Sequence, residues 1–152
     1  MQSSPLQAAV AVATPAIFTI NAQGQGAILI ANTSIIAAPA GAFPNSRPAQ
    51  AGEYIEIYAT GLGTVNQTPE DGQAPGGADP VNLQSIYVVW YTSPSQATAN
   101  MPVYTGLAPG FPGLYQIDVQ VPTGLSGNAV PIAIYSYDAG GVHSSQVTLA
   151  IQ

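Results

Sequence analysis

The stretch Leu114-Tyr115-Gln116-Ile117-Asp118-Val119-Gln120-Val121 decides the fold. Tyr115, Ile117, Val119 and Val121 alternate with Gln116, Asp118 and Gln120, the period of two that marks a strand with one buried and one wet face. Upstream, Glu53-Tyr54-Ile55-Glu56-Ile57-Tyr58-Ala59 repeats the pattern, with Ile55, Ile57 and Ala59 inward and Tyr54, Glu56 and Tyr58 outward. Between them, Ser85 to Thr92 sets Ile86, Val88 and Trp90 against Tyr87, Val89 and Tyr91, and Met101 to Thr105 reads as a strand after it. Downstream, Ala129 to Tyr137 and Ser145 to Ile151 close the chain, the last with Val147, Leu149 and Ile151 on one side. Near the start, Ala16 to Ile20 is extended after the Thr14-Pro15 kink, and Gly26 to Ala31 joins Thr33 to Ala37 in a hairpin about Asn32. Pro39 to Gly52, rich in Pro, Ala and Gly, reads as a surface loop, and Thr60 to Pro80 as a long irregular connection. No segment has sustained helical periodicity. The expectation is an all-β, Ig-like Greek-key β-sandwich of nine or ten strands with essentially no helix.

Composition narrows the function classes. The 152 residues fit one domain. Only 5% are charged, with seven acids, one arginine and no lysine or cysteine. A net charge of −6 with a single cation leaves nothing to neutralise phosphates, which argues against nucleic acid and anionic lipid as partners. Without cysteine there is no disulfide or thiolate site, and without lysine no Schiff base or lysine-derived cross-link. No run approaches the roughly 18–20 apolar residues that span a bilayer, so membrane insertion is not expected. The start Met1-Gln2-Ser3-Ser4-Pro5 has no basic region, and the chain reads as one whose signal peptide has been removed or as a domain of a longer polypeptide. A weakly charged, Gly- and Pro-punctuated β protein is read as extracellular.

Thr-Gly-Leu recurs at Thr60, Thr105 and Thr123 with unequal spacing, which reads as turn chemistry with glycine at positive φ and leucine folding back on the core. Ala59-Thr60-Gly61-Leu62-Gly63, and Tyr104 through Gly106-Leu107-Ala108-Pro109-Gly110 to Gln120-Val121-Pro122, carry a resemblance. With Thr14-Pro15-Ala16-Ile17-Phe18 and Gly24-Gln25-Gly26-Ala27 they resemble the C-terminal domain of secreted Solibacter and other acidobacterial proteins, over most of the chain. The resemblance implies an Ig-like module of large secreted or surface proteins and carries over no catalytic residue. The chain departs from that pattern at Tyr91 to Met101 and Tyr137 to His143, where its hairpins are longer.

Candidate chemistry is sparse. His143 is the only histidine and has no nucleophile motif beside it, so it reads as a solvated hairpin residue rather than a triad member. Glu53 and Glu56 lie on opposite faces of one strand and do not pair for glycoside hydrolysis. Glu70, Asp71 and Asp79 form a candidate Ca²⁺ group in an oxygen-rich loop, without Asp-x-Asp spacing; the alternative is an acidic surface turn. Tyr54, Tyr58, Tyr87, Trp90 and Tyr91 are aromatic candidates for stacking on sugar rings, and the alternative is cross-strand pairs that stabilise the sheet. No cofactor is called for.

Residues 1–14 form a segment of their own before the sandwich of 15–152. In it Leu6, Ala8, Val10 and Val12 alternate as an apolar strand that either folds onto its own sheet or adds to the edge of a neighbouring subunit. The second option yields a head-to-tail filament. The function expected is that of a non-catalytic extracellular structural or adhesive module, a filament or pilus-like subunit whose partners are itself or other surface proteins. The alternative is a carbohydrate-binding module with an aromatic sheet face.

Overall fold

The computed structural model describes residues 10–75 and 85–152. Among them lie twelve strands and no helix: β1 (Ala16–Ile17), β2 (Ile28–Ile30), β3 (Ile36–Ala37), β4 (Ser46–Arg47), β5 (Tyr54–Thr60), β6 (Ile86–Ser93), β7 (Gln96–Asn100), β8 (Tyr104–Leu107), β9 (Tyr115–Gln120), β10 (Gly127–Ser136), β11 (Val142–His143) and β12 (Val147–Ile151). The first sheet has the order β4-β3-β2-β5-β9-β8, with β1 also pairing β5. The second has the order β11-β10-β6-β7, with β12 also pairing β10. All pairs are antiparallel except β3 with β4. The strands not read from the sequence are β4 and β11, of two residues each, and β7, whose five residues are exposed almost throughout and so show no alternation of buried and wet positions.

The alternation read in β5, β6 and β9 is realised. Ile55, Ile57, Ile117 and Val119 from one sheet meet Ile86, Val88, Trp90, Ile132, Ile134 and Leu149 from the other in one core. Each such side chain withdrawn from water stabilises by roughly 1.5–3 kcal/mol. The two sheets therefore form a sandwich.

Four expectations change. Pro39 to Gly52 is not only a surface loop: it contains β4, and Ala49 is fully buried where it bridges Ile151 of the opposite sheet. Met101 to Thr105 is displaced to β8, because Pro102 lacks a donor and Met101 and Val103 stay exposed. Gly106, in the middle Thr-Gly-Leu, lies inside β8, whereas Gly61 and Gly124 have the positive φ of turns. In all three copies the leucine is buried. The apolar N-terminal segment is described only from Val10; Val10 to Ala13 forms no strand, and Leu6 and Ala8 lie outside the described residues.

The sandwich has two distinct poles. At one, β1 meets the end of β5 (Ala16 opposite Thr60), Thr14 N donates to Gly61 O, and Tyr137 N donates to Ser85 O. At the other, Tyr54 lies opposite Gln120, Gly52 N donates to Val121 O, Ala49 bridges Ile151, and β10 begins at Gly127 opposite Ile151. Thr14, bonded to Gly61, lies at the Thr60 pole.

Candidate functional site

The outer face of the first sheet carries the densest polar and aromatic cluster. Tyr54, Glu56 and Tyr58 point outward from β5 because Ile55, Ile57 and Ala59 point inward. Register then sets Glu56 directly opposite Asp118 and Tyr58 opposite Gln116 on β9, with Tyr104 of β8 opposite Asp118. Two carboxylates facing each other across strands are an unfavourable pair unless something neutralises or spreads their charge. Here neighbouring donors do so: Gln116 Nε2 donates to Asp118 Oδ1 at 2.8 Å, Asn32 N to Glu56 Oε1 at 2.8 Å and Tyr58 OH to Glu56 Oε2 at 3.2 Å. Burial, and then the negative charge of Glu56 and Asp118, push the Tyr58 phenol up to about 12, so it remains a donor at all ordinary pH. A shallow cavity of about 360 Å³ lies over Tyr54, Glu56, Gln116, Asp118, Asn32 and Val103. Tyr54 is 42% exposed and offers its ring to solvent.

Sequence reasoning found Tyr54 and Tyr58 but missed Gln116, Asp118 and Tyr104 as their companions. The outward parity of Gln116 and Asp118 was visible; that β9 is the neighbour of β5 was not.

The remaining aromatic candidates do not join this face. Trp90 is fully buried in the core, which removes it as a sugar-stacking residue; its parity with Ile86 and Val88 dictates this. Tyr87 and Tyr91 lie on the outer face of the second sheet. There Tyr87, Tyr135 and His143 form a lateral row, with ring centroids 6.4 Å and 4.6 Å apart, that covers the sheet. His143 is thereby a stacking partner, and the adjacent Ser144 hydroxyl is committed to accepting from Ile134 N and donating to Ser145 O.

Glu70 and Asp71 are exposed in a turn closed by Gln73 N donating to Glu70 O, and Asp79 lies outside the described residues. Among the described residues no three His, Cys, Asp or Glu side chains converge to hold a metal. Glu53 is taken up by the chain's sole cation: Arg47 grips it with two bonds of 2.8 Å, which holds the Glu53 carboxyl below its ordinary range.

A second site lies where the second sheet opens. The β6–β10 ladder ends at Trp90 opposite Ile132, and the next pair would be Tyr91 with Pro131. Ile134 N and O bond Ser144, on the side away from β6, so strand alternation turns the backbone of Pro131 toward β6. Proline has no N–H to offer there, and the ladder stops. Bulges then carry the two strands apart: one between Tyr91 and Ser93 on β6 where it pairs β7, the other between Gly127 and Val130 on β10 where it pairs β12. Two cavities of about 430 and 370 Å³ occupy the fork and share Tyr91, Thr92 and Pro131. No charged side chain lines either one. The fork sits at the Tyr54 pole.

At the Thr60 pole, Val10 is 95% and Val12 61% exposed, immediately before Ala13, which is buried, and Thr14, which is bonded to Gly61. No family model, curated protein or solved structure matches this chain.

Proposed function

We propose that this chain is a non-catalytic extracellular structural or adhesive module that assembles with copies of itself by adding its N-terminal apolar strand to a neighbour. The carrying observation is the exposure of Val10 and Val12, in a stretch, Val10 to Ala13, that joins no strand of the sandwich. An isolated Val in water is ordinary, but Val10 and Val12 exposed together at the end of an alternating apolar run call for burial against a partner. Strand addition supplies it, with backbone bonds giving affinity and alternate side chains giving register. The order β1/β2-β5-β9-β8 facing β7-β6-β10-β12 supports an immunoglobulin-like Greek key, in line with the resemblance to secreted acidobacterial domains. That resemblance and the lysine-free, weakly charged surface support the extracellular assignment.

The test is deletion of residues 1–13 with light scattering and electron microscopy. The full chain is expected to form polymers and the truncated one a folded monomer near one chain mass. Equal size distributions for the two would exclude strand addition.

A second reading rests on the outer face of the first sheet, where Tyr54, Glu56, Gln116 and Asp118 offer a ring edge flanked by amide and carboxylate groups, the chemistry that holds a sugar. On a glycan array, Tyr54→Ala and Gln116→Ala should each weaken binding; an array with no bound glycan for the unaltered chain removes this reading.

A further inference from the structure

The geometry points to the fork between β6 and β10 as the receptor for the N-terminal strand of a second copy, a conclusion that rests on the strand-addition reading above. Four observations lead to it.

The fork is strand-shaped. Tyr91 to Ser93 pair only toward β7 and Gly127 to Pro131 only toward β12, so the inner edges of both strands face each other unladdered. Five residues of β10 give an open edge of about 16 Å at the usual rise of a strand. A guest strand of four or five residues would continue the sheet that Pro131 interrupts.

The fork carries no charge: the larger cavity is lined by polar groups of Thr92, Ser126 and Asn128 together with Leu125 and Val130, and the smaller one is mainly apolar. Leu125 and Val130 contribute buried carbon, and Tyr91, Thr92 and Pro131 form the shared wall. The stretch from Met1 to Ala13 likewise contains no charged residue. Docking one in the other takes no ion out of water, the step that most often makes strand burial unfavourable. Ala8, Ala9 and Ala11 keep the guest slim.

The guest belongs to another copy. Thr14, to which the segment is joined, lies at the Thr60 pole, and the fork opens at the Tyr54 pole. Running back along the seven residues of β5 would consume about 20 Å of extended chain, roughly six residues. That would use up Gln7 to Val12 before the fork was reached, whereas a neighbour stacked pole to pole presents its fork directly.

The opening is written into the sequence. A proline in an interior strand is excluded unless its nitrogen faces a gap, and Pro131 faces this one.

The cysteine-free chain makes a direct test simple. Full-length Val10→Cys is mixed with full-length Thr92→Cys, Ala129→Cys or, as a control at the other pole, Gln67→Cys, and oxidised mildly. Circular dichroism checks that each variant folds; Val10, Thr92, Ala129 and Gln67 are all exposed positions. Docking raises the local thiol concentration, so mixed dimers with Thr92→Cys or Ala129→Cys should exceed those with Gln67→Cys by about tenfold or more. Polymers that form normally but cross-link no better at Thr92 and Ala129 than at Gln67 would overturn the fork as receptor while leaving strand addition standing. Monomeric protein with no mixed dimer in any pairing would overturn both.

Discussion

Gly61 is held by two independent constraints. Its φ of 73° belongs to the left-handed region, and a Cβ built on it would lie 2.1 Å from Thr14 O, the backbone that anchors the N-terminal arm. Gly124 has a similar φ of 82° but opens onto free space. Gly61→Ala should therefore cost about 2 kcal/mol or more and Gly124→Ala about 1 kcal/mol, measured as urea midpoints of the two variants. Equal losses would mean that the Thr14 contact yields easily. The three Thr-Gly-Leu sites also mark how far single residues are legible. Burial of each leucine could be read from the sequence, because apolar side chains flanking a strand end have one place to go. The sign of φ could not: Gly106 differs from Gly61 through its pairing with Gln116 on the next strand, a register that no local pattern records.

Among elements, the segment from Arg47 to Glu53 links the sheets. β4 lies beside β3, Ala49 bridges Ile151, and Gly52 bonds Val121. The guanidinium of Arg47 also donates to Pro48 O, and Glu53 Oε2 accepts from Gln50 N, so the pair staples this crossing shut. The folded carboxyl lies below the ordinary value of 4.5 through its bonds to Arg47. A depressed acid contributes its stability above the unfolded pKa and loses it as pH falls through the folded one. Melting curves between pH 7 and pH 3 should show a larger drop in the native chain than in Glu53→Gln, which keeps only the share of other depressed acids such as Asp138, held low by the Ser85 N–H. With both side chains about one-third exposed, solvent screening limits the difference to under about 1 kcal/mol. An identical pH profile for both chains would assign the staple no net role. The long strands were legible because period-two patterns record which face is buried. The crossing was not, since Pro, Ala and Gly read as loop wherever they occur, and only a partner strand distinguishes β4 or Ala49 from a free turn. The outer-face cluster suffered the same loss: its parity was visible in β5 and β9 separately, its convergence only in their register.

For the whole molecule, the sandwich followed from counting alternating segments, and its pairing order did not, since order depends on crossings that leave no local signature. The neutral arm and neutral fork carry a further expectation. Assembly should keep the same size distribution between about 0.01 and 1 M salt, because no exposed charge pair takes part for ions to screen. Light scattering across that range checks it, and polymers that dissolve at high salt would point to an interface elsewhere. The placement of Thr14 and Ile151 at opposite poles also has a mechanical meaning. Thr14 and β1 run alongside β5 from the Thr60 pole, and β12 runs alongside β10 to finish at Ile151 at the other. Tension applied between Thr14 and Ile151 would load the Thr14–Gly61, Ala16–Thr60 and Phe18–Tyr58 links together, in shear, rather than peeling them one after another, so the sandwich is strung to resist pulling along that line.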